Sequence, residues 1–269
     1  MTRGRRGASE SRFRAPDGRA VSDVVGYVLV FALVTATITS VFAVGMGGLE
    51  DRRDAERIEN VERAFDVLDD NLRDVARHGD PSRATEVRLS GGELSLSSTT
   101  NVTIEQVKNG TRVGNHTTRT VHAVTYTRGE TTVGYDAGAR FRTDGDTTLF
   151  RSTPGFVSTE GEPNRTVIPL LRTRPGDGPT AAEGDGTVQI SASAGVLRRF
   201  EYPEAGADPD AVRIRVESPR ADAWERYLDE ADGFTVDESA TTDGEVVAEI
   251  DRDEVVYVRV TVVDVSYRR

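Results

Sequence analysis

Cysteine is absent from the 269 residues, which excludes disulfides, thiolate zinc sites, iron-sulfur clusters and a cysteine nucleophile. Lysine occurs once, at Lys108, leaving Schiff-base chemistry and a lysine-ended phosphate loop with one poorly placed residue. Histidine occurs three times, and the basic complement is almost wholly arginine. Acidic residues outnumber it, giving a formal net charge of -11. Because an acidic surface repels phosphates, no nucleic acid is expected as a partner. Carboxylates also keep a chain hydrated in concentrated salt, so this composition predicts a halophilic source. Hydrophobic residues at 36% and charged residues at 29% are the balance of a globular protein with room for a core.

Catalytic signatures are equally sparse. There is no Gly-x-Ser-x-Gly elbow, no glycine loop followed by lysine and no paired-histidine zinc helix. His116 and His122 would share one face of an unbroken strand, with no third ligand nearby. The acid groups Asp144-Gly145-Asp146, Asp208-Pro209-Asp210 and Asp251-Arg252-Asp253-Glu254 lack the ligand spacing of a calcium loop and read as solvated turns. The expectation is a protein that is not an enzyme and carries no cofactor and no metal.

What is present is a graded charge. Residues 1–20 hold six arginines against Glu10 and Asp17, a formal +4; Val21 to Leu49 carries only Asp23, so the remainder must hold -14 to reach the total of -11. Val24 to Leu49 is 26 uncharged residues, about 39 Å as a helix against a bilayer core of about 30 Å. Membrane lipid is its expected partner. The arginine flank favours the cytoplasmic side, which places everything after Leu49 outside the cell. A secretory signal cut near Ala43-Val44-Gly45 is a competing reading, although the apolar run exceeds the usual length. An uncut single-pass anchor is another.

The stretch Arg19-Ala20-Val21-Ser22-Asp23-Val24-Val25-Gly26-Tyr27-Val28-Leu29-Val30 resembles the class III signal peptide of haloarchaeal type IV pilins and related archaellin-like proteins. The resemblance implies cleavage by a prepilin peptidase between Ala20 and Val21, with Arg19 as the basic residue of the motif and the apolar segment retained. It further implies an assembly ATPase, a polytopic membrane platform and other pilin-like subunits as partners. Haloarchaeal pilins often have proline where this chain has Asp23, and Val25 stands where bacterial pilins have glutamate. Asp23 reads either as a partner for the amine freed at Val21 or as the N-cap of a helix starting near Val24.

Beyond the apolar run, Ile58, Val61, Phe65, Leu68, Leu72 and Val75 recur at alternating steps of three and four. That is one apolar stripe, expected to pack on the chain's own downstream sheet. His78-Gly79-Asp80-Pro81 should end the helix, and Gly45, Gly47 and Gly48 predict a bend or melted turn at the outer membrane edge. From Thr85 the pattern is β. Val87 and Leu89, the turn Gly91-Gly92, and Leu94 and Leu96 read as a hairpin, with further strands at 119–128, 130–136, 139–143, 165–172, 187–194, 211–217 and 245–250. Val256, Val258, Val260 and Val262 form one apolar face fit for a sheet centre. Loops are expected at 153–163, 174–186 and 203–209, separating two lobes. One helix follows Ser218-Pro219 as cap and first turn, with Trp224 as a core anchor.

The predicted fold class is α+β. A leader (1–20) and a membrane or filament-core helix (21–49) precede an amphipathic extension (50–79) and an antiparallel β-rich, sandwich-like head (80–269) with one short helix. Four of six asparagines, Asn101, Asn109, Asn115 and Asn164, sit in Asn-x-Thr sequons, which predicts N-glycosylation of an external head. The function expected from these features is a minor or accessory pilin-like surface subunit. The alternative is a single-pass, glycosylated surface protein with a binding or envelope role that never polymerises.

Overall fold

Ile58, Val61, Phe65, Leu68, Leu72 and Val75 are all buried, and this stripe joins the N-terminal helix to the core of the head. A computed structural model describes residues 18–204, 206–251 and 254–269. The elements are α1 Gly18–His78, β1 Ser82–Arg88, β2 Gly92–Lys108, β3 Thr111–Arg128, β4 Thr131–Asp136, β5 Ala139–Asp144 and β6 Thr147–Ser152. They continue with β7 Val157–Thr159, β8 Asn164–Pro175, β9 Ala181–Gly184, β10 Thr187–Tyr202 and β11 Ala211–Glu217. After α2 Ala221–Glu230 come β12 Thr235–Val236, β13 Glu245–Asp251 and β14 Glu254–Arg268. The chain divides into two units, one ending at Ala55 and the other covering Glu56–Arg269.

The head is built on two sheets, one ordered β1-β10-β14-β8-β7 and the other β12-β13-β11-β2-β3-β4-β5-β6, with β9 pairing β2. The architecture is therefore α+β with a β-rich head and one short helix, as the patterning predicts. β14 takes the central position expected of its valine face, with Val256, Val258, Val260 and Val262 all buried. Its pairing with β8 is parallel over Glu254 to Val265, an exception to the antiparallel expectation. Two core clusters lie within the one unit rather than in two lobes. The α1 stripe packs with Val87, Leu94, Tyr126 and Val263, while Trp224 and Leu228 of α2 pack with Ile214, Ala248 and Val258. Trp224 is fully buried among Phe150, Phe156 and Tyr227, the core anchor the sequence suggests.

Several local expectations are corrected. Gly91-Gly92 does not close a hairpin: β1 pairs β10 while β2 pairs β3, β9 and β11, so the chain changes sheets at this corner. Ser90 and Gly91 both adopt positive φ, the Tyr126 hydroxyl donates to the Leu89 carbonyl at 2.6 Å, and a Cβ on Gly92 would collide with the Tyr126 ring. Only glycine fits so close an approach. Helical structure runs through Gly45, Gly47 and Gly48 instead of melting there. A helix satisfies its own backbone hydrogen bonds, and three glycines at about 1 kcal/mol each weaken but do not break so long a run. The C-terminal stop falls where predicted, at His78 with Gly79 at φ 76. The expected loops at 153–163 and 174–186 each hold a short strand, β7 and β9. Helix α2 starts later than predicted, at Ala221, because the Ser218 hydroxyl bonds the Arg220 amide and Thr100 rather than capping a first turn.

Polar contacts fasten the stripe's flank. Asp69 accepts from Arg73 Nε at 2.7 Å and from Ser152 Oγ at 3.0 Å, Arg140 pairs with Asp66 and Asp69, and Arg142 donates to Glu62 at 3.1 Å. These join α1 to β5 and β6, fixing which face of the helix turns toward the sheet.

Candidate functional site

The N-terminal unit is a surface without an inside. Every described side chain from Val24 to Leu49 is exposed, including fifteen large apolar ones such as Phe31, Phe42 and Val44. Leaving a Val, Leu, Ile or Phe in water forgoes about 1.5–3 kcal/mol, so fifteen forgo on the order of 20–45 kcal/mol. That exceeds the whole stability of a typical domain, about 5–15 kcal/mol. The segment therefore needs an apolar environment that its own unit does not supply. Its mean hydropathy of 2.3 over the most apolar 18 residues suits a membrane span, and a signal sequence has the same character.

Its polar side chains also suit hydrocarbon. The hydroxyls of Thr37, Thr39 and Ser40 donate to the carbonyls of Leu33, Thr35 and Ala36 at 2.8, 2.8 and 2.9 Å. Each of these hydroxyls is thus satisfied within the helix, as a lipid-facing segment requires. Valine, isoleucine and threonine are poor helix formers in water. In hydrocarbon the helix is imposed, because no other single-segment backbone satisfies its own amides.

Residues 1–17 lie outside the described residues, and the side chains of Arg19, Ala20, Val21 and Asp23 lie outside the description of the helix that carries their backbone. Because α1 begins at Gly18, Asp23 is not the N-cap of a helix starting near Val24; a cap residue needs non-helical backbone angles. Its reading as a partner for a freed amine concerns the cleaved chain.

The sequons gather at one place that their sequence spacing does not disclose. Asn101, Asn109 and Asn115 all lie on the β2–β3 hairpin, whose register pairs Lys108 with Thr111. The connection is the two-residue Asn109-Gly110, both at positive φ, a type I′ turn that asparagine and glycine favour. Asn109 is exposed at the tip, with its backbone amide donating to Asp210 at 2.7 Å. Asn115 is exposed, and its side-chain amide donates to Glu204 at 2.9 Å. Asn101 is half-buried mid-strand, donating to Glu217 at 3.1 Å and accepting from Thr120 at 2.8 Å. Asn164 begins β8, apart from the others, with its side-chain carbonyl taken by the Gly161 amide. The threonines differ as well: Thr111 is exposed, whereas Thr117 and Thr166 are buried.

The histidines and the acid turns do not converge on one site among the described residues. His116 is exposed on β3 opposite Glu105, and His122 is half-buried opposite Ser98. Desolvation and the nearby Arg172 hold the His122 pKa below its ordinary value, so the ring is neutral at neutral pH. Among the described residues no group of three His, Cys, Asp or Glu could hold a metal ion. Hydrogen bonds from Arg142, then Thr131, hold the Asp144 carboxyl below the usual range, and Asp208 pairs with Lys108. The first two acid turns are thus tied by ion pairs, while Arg252 and Asp253 of the third lie outside the described residues.

One buried polar cluster has no signature in the linear sequence. Arg220 donates to Asp136 at 2.6 Å and to Thr99 at 2.7 Å, Thr100 donates to Asp136 at 2.5 Å, and the Arg220 guanidinium lies 4.5 Å from the Phe141 ring centre. It braces β2, β4 and the approach to α2 against one another.

The chain is similar to an uncharacterised protein of Archaeoglobus fulgidus, 31% identical over 78 residues, which is 29% of this chain and 26% of the relative. The match thus spans about a quarter of that protein's length. A family of unknown function, DUF7289, matches residues 19–266, which takes in the apolar helix and the head together. By that match the protein belongs to the DUF7289 family.

Proposed function

We propose that the protein is a pilin-like surface subunit, minor or accessory in type, held by a retained N-terminal helix with its β-rich head outside the cell. The observation that carries this reading is the row of fifteen exposed apolar side chains directly after Arg19-Ala20-Val21. Lipid covers such a helix, and packing against copies of itself also covers its apolar surface, so an extrusion machine can move it from one apolar setting to the other. A prepilin peptidase, an assembly ATPase, a membrane platform and other pilin-like subunits are the partners this reading requires. The family match across both the helix and the head favours a retained helix over a discarded leader. Val25, in place of an acidic residue, favours the alternative of an anchored surface protein that does not polymerise.

Mass spectrometry of the mature amino terminus tests the proposal. A start at Val21 is the expected result, and Arg19→Ala should leave the precursor uncut. An intact leader would support a plain anchor, and a start near Met46 would indicate ordinary secretion and overturn the proposal.

Glycosylation of the head belongs to the same reading. Among the four sequons, Asn109 combines an exposed side chain, an exposed threonine and a turn that can meet a transferase without opening a sheet. Peptide mass spectrometry of protein from its native host is expected to find glycan at Asn109, lost in Asn109→Gln, and none at Asn101.

A further inference from the structure

A cavity of about 50 Å³ opens beside the end of α1, lined by Arg73, Arg77, Tyr135, Pro154 and Arg259. A cavity of about 10–15 Å³ already holds one water, so this one has room for a small anion or a few waters. Two buried donors at it have no partner among the described residues. Tyr135 is fully buried, and its hydroxyl has no hydrogen-bond partner among the described residues. Desolvation, then the charge of Asp69, pushes its pKa far up, so the phenol keeps its proton and remains a donor. Arg259 gives one nitrogen to the Ala76 carbonyl at 2.8 Å, while its buried Nε has no partner among the described residues.

Asp69 is shared by Arg73, Arg140 and Ser152. Asp136 gives Oδ2 to Arg220 and Thr100, while its Oδ1, unpartnered among the described residues, does not line the cavity. Three guanidinium groups line one cavity in a chain whose net charge is -11. Arg73 is paired with Asp69, but the Arg259 Nε and the Tyr135 hydroxyl have no partner among the described residues, and unbonded donors in a partly dry space are costly unless an acceptor joins them.

We propose that this cavity binds a small monovalent inorganic anion of chloride size, with the Tyr135 hydroxyl and the guanidinium groups of Arg77 and Arg259 as its donors. An anion has acceptor capacity only, which matches the unpartnered Tyr135 hydroxyl and Arg259 Nε, while Pro169, Leu170 and Leu171 form an apolar wall beside them. Arg77 is exposed at the mouth and gives the ion a charged entrance, while Tyr135 forms the floor. The site closes the contact between the last turns of α1 and strands β4 and β14, so bound anion should strengthen the seating of the amphipathic helix on the head.

The test uses the full chain in neutral detergent, at constant ionic strength, with chloride replacing bulky gluconate. Chloride-35 line broadening should saturate, bromide should compete, and the thermal midpoint should rise with chloride. Arg77→Gln and Tyr135→Phe should each weaken chloride binding about tenfold, the scale of one hydrogen bond to a charged group. Arg77 is exposed and tyrosine-to-phenylalanine keeps its shape, so both variants should fold. Without an anion, removing an unbonded hydroxyl is neutral or stabilising; with one, Tyr135→Phe loses the chloride-dependent rise. Broadening that never saturates, or saturates identically in both variants, would overturn the proposal and leave the space to water.

Discussion

Asp136→Ala is expected to lower the thermal midpoint of the head by about 6–20 °C. The Asp136 carboxylate is fully buried, and its partner Arg220 is nearly so. Removing one member of such a pair strands the other charge away from water, at a cost of about 3–5 kcal/mol. In a domain of this size each kcal/mol moves the midpoint by about 2–4 °C. Arg220→Met should do similar damage from the other side, and it also removes the donor to Thr99 and the cation over Phe141. Combining the two substitutions should cost less than the sum of the singles, because neither charge is then left alone. Scanning calorimetry of the four proteins closes the cycle. Singles that melt within about 2 °C of the parent, less than one kcal/mol on the same scale, would mean that the pair is hydrated and braces nothing. The brace matters because its members come from β2, β4 and the approach to α2, three segments that the main-chain ladders do not connect directly at that point.

How much of this is legible beforehand follows from which signals are local. The α1 stripe can be read because period and burial are properties of one segment, and each of its six residues is buried as its spacing predicts. Val256 to Val262 are legible for the same reason, alternation being sufficient to mark a central strand. Gly91-Gly92 misleads because a turn signal states that the chain bends, not which strands it joins; the Tyr126 ring that fills the corner comes from β3, far along the chain. Asn109-Gly110 carries two messages, a sequon and a type I′ hairpin turn, and the second emerges only with the β2–β3 register. The threonine-rich second half of β2 lacks a clean apolar alternation, so its pairing with β11 through Asn101 to Val107 leaves no local trace. Asp136 and Arg220 are 84 residues apart, and no spacing rule reaches across that distance. The same holds for the cavity at Tyr135, which needs β4, β14 and α1 in place before its two unpartnered donors meet.

Phenylalanines on the same helix are expected to behave in opposite ways. Phe65→Ala removes a fully buried ring from the core under α1 and should cost about 3–5 kcal/mol, a fall in midpoint of about 6–20 °C. Phe31→Ala and Phe42→Ala alter side chains that are exposed in the N-terminal unit and should leave the head's midpoint unchanged. Their effect should appear instead in partition: less apolar area means weaker retention by membrane or filament, by about 1.5–3 kcal/mol for each ring. Truncation extends the contrast. A chain beginning at Glu56 keeps the whole stripe and the whole second unit, so it should fold and stay soluble without detergent. A chain beginning at Asp80 loses Ile58 to Val75, six buried apolar residues from one cluster, and should aggregate or remain unfolded. Circular dichroism, melting and sedimentation of the two truncations separate the outcomes. If the Asp80 chain melted like the Glu56 chain, the stripe would contribute nothing to the head, and its apolar face would have to serve the same external partner as Val24 to Leu49. Helical periodicity alone cannot distinguish these roles; the distinction lies in whether each apolar face meets protein or must find another apolar medium.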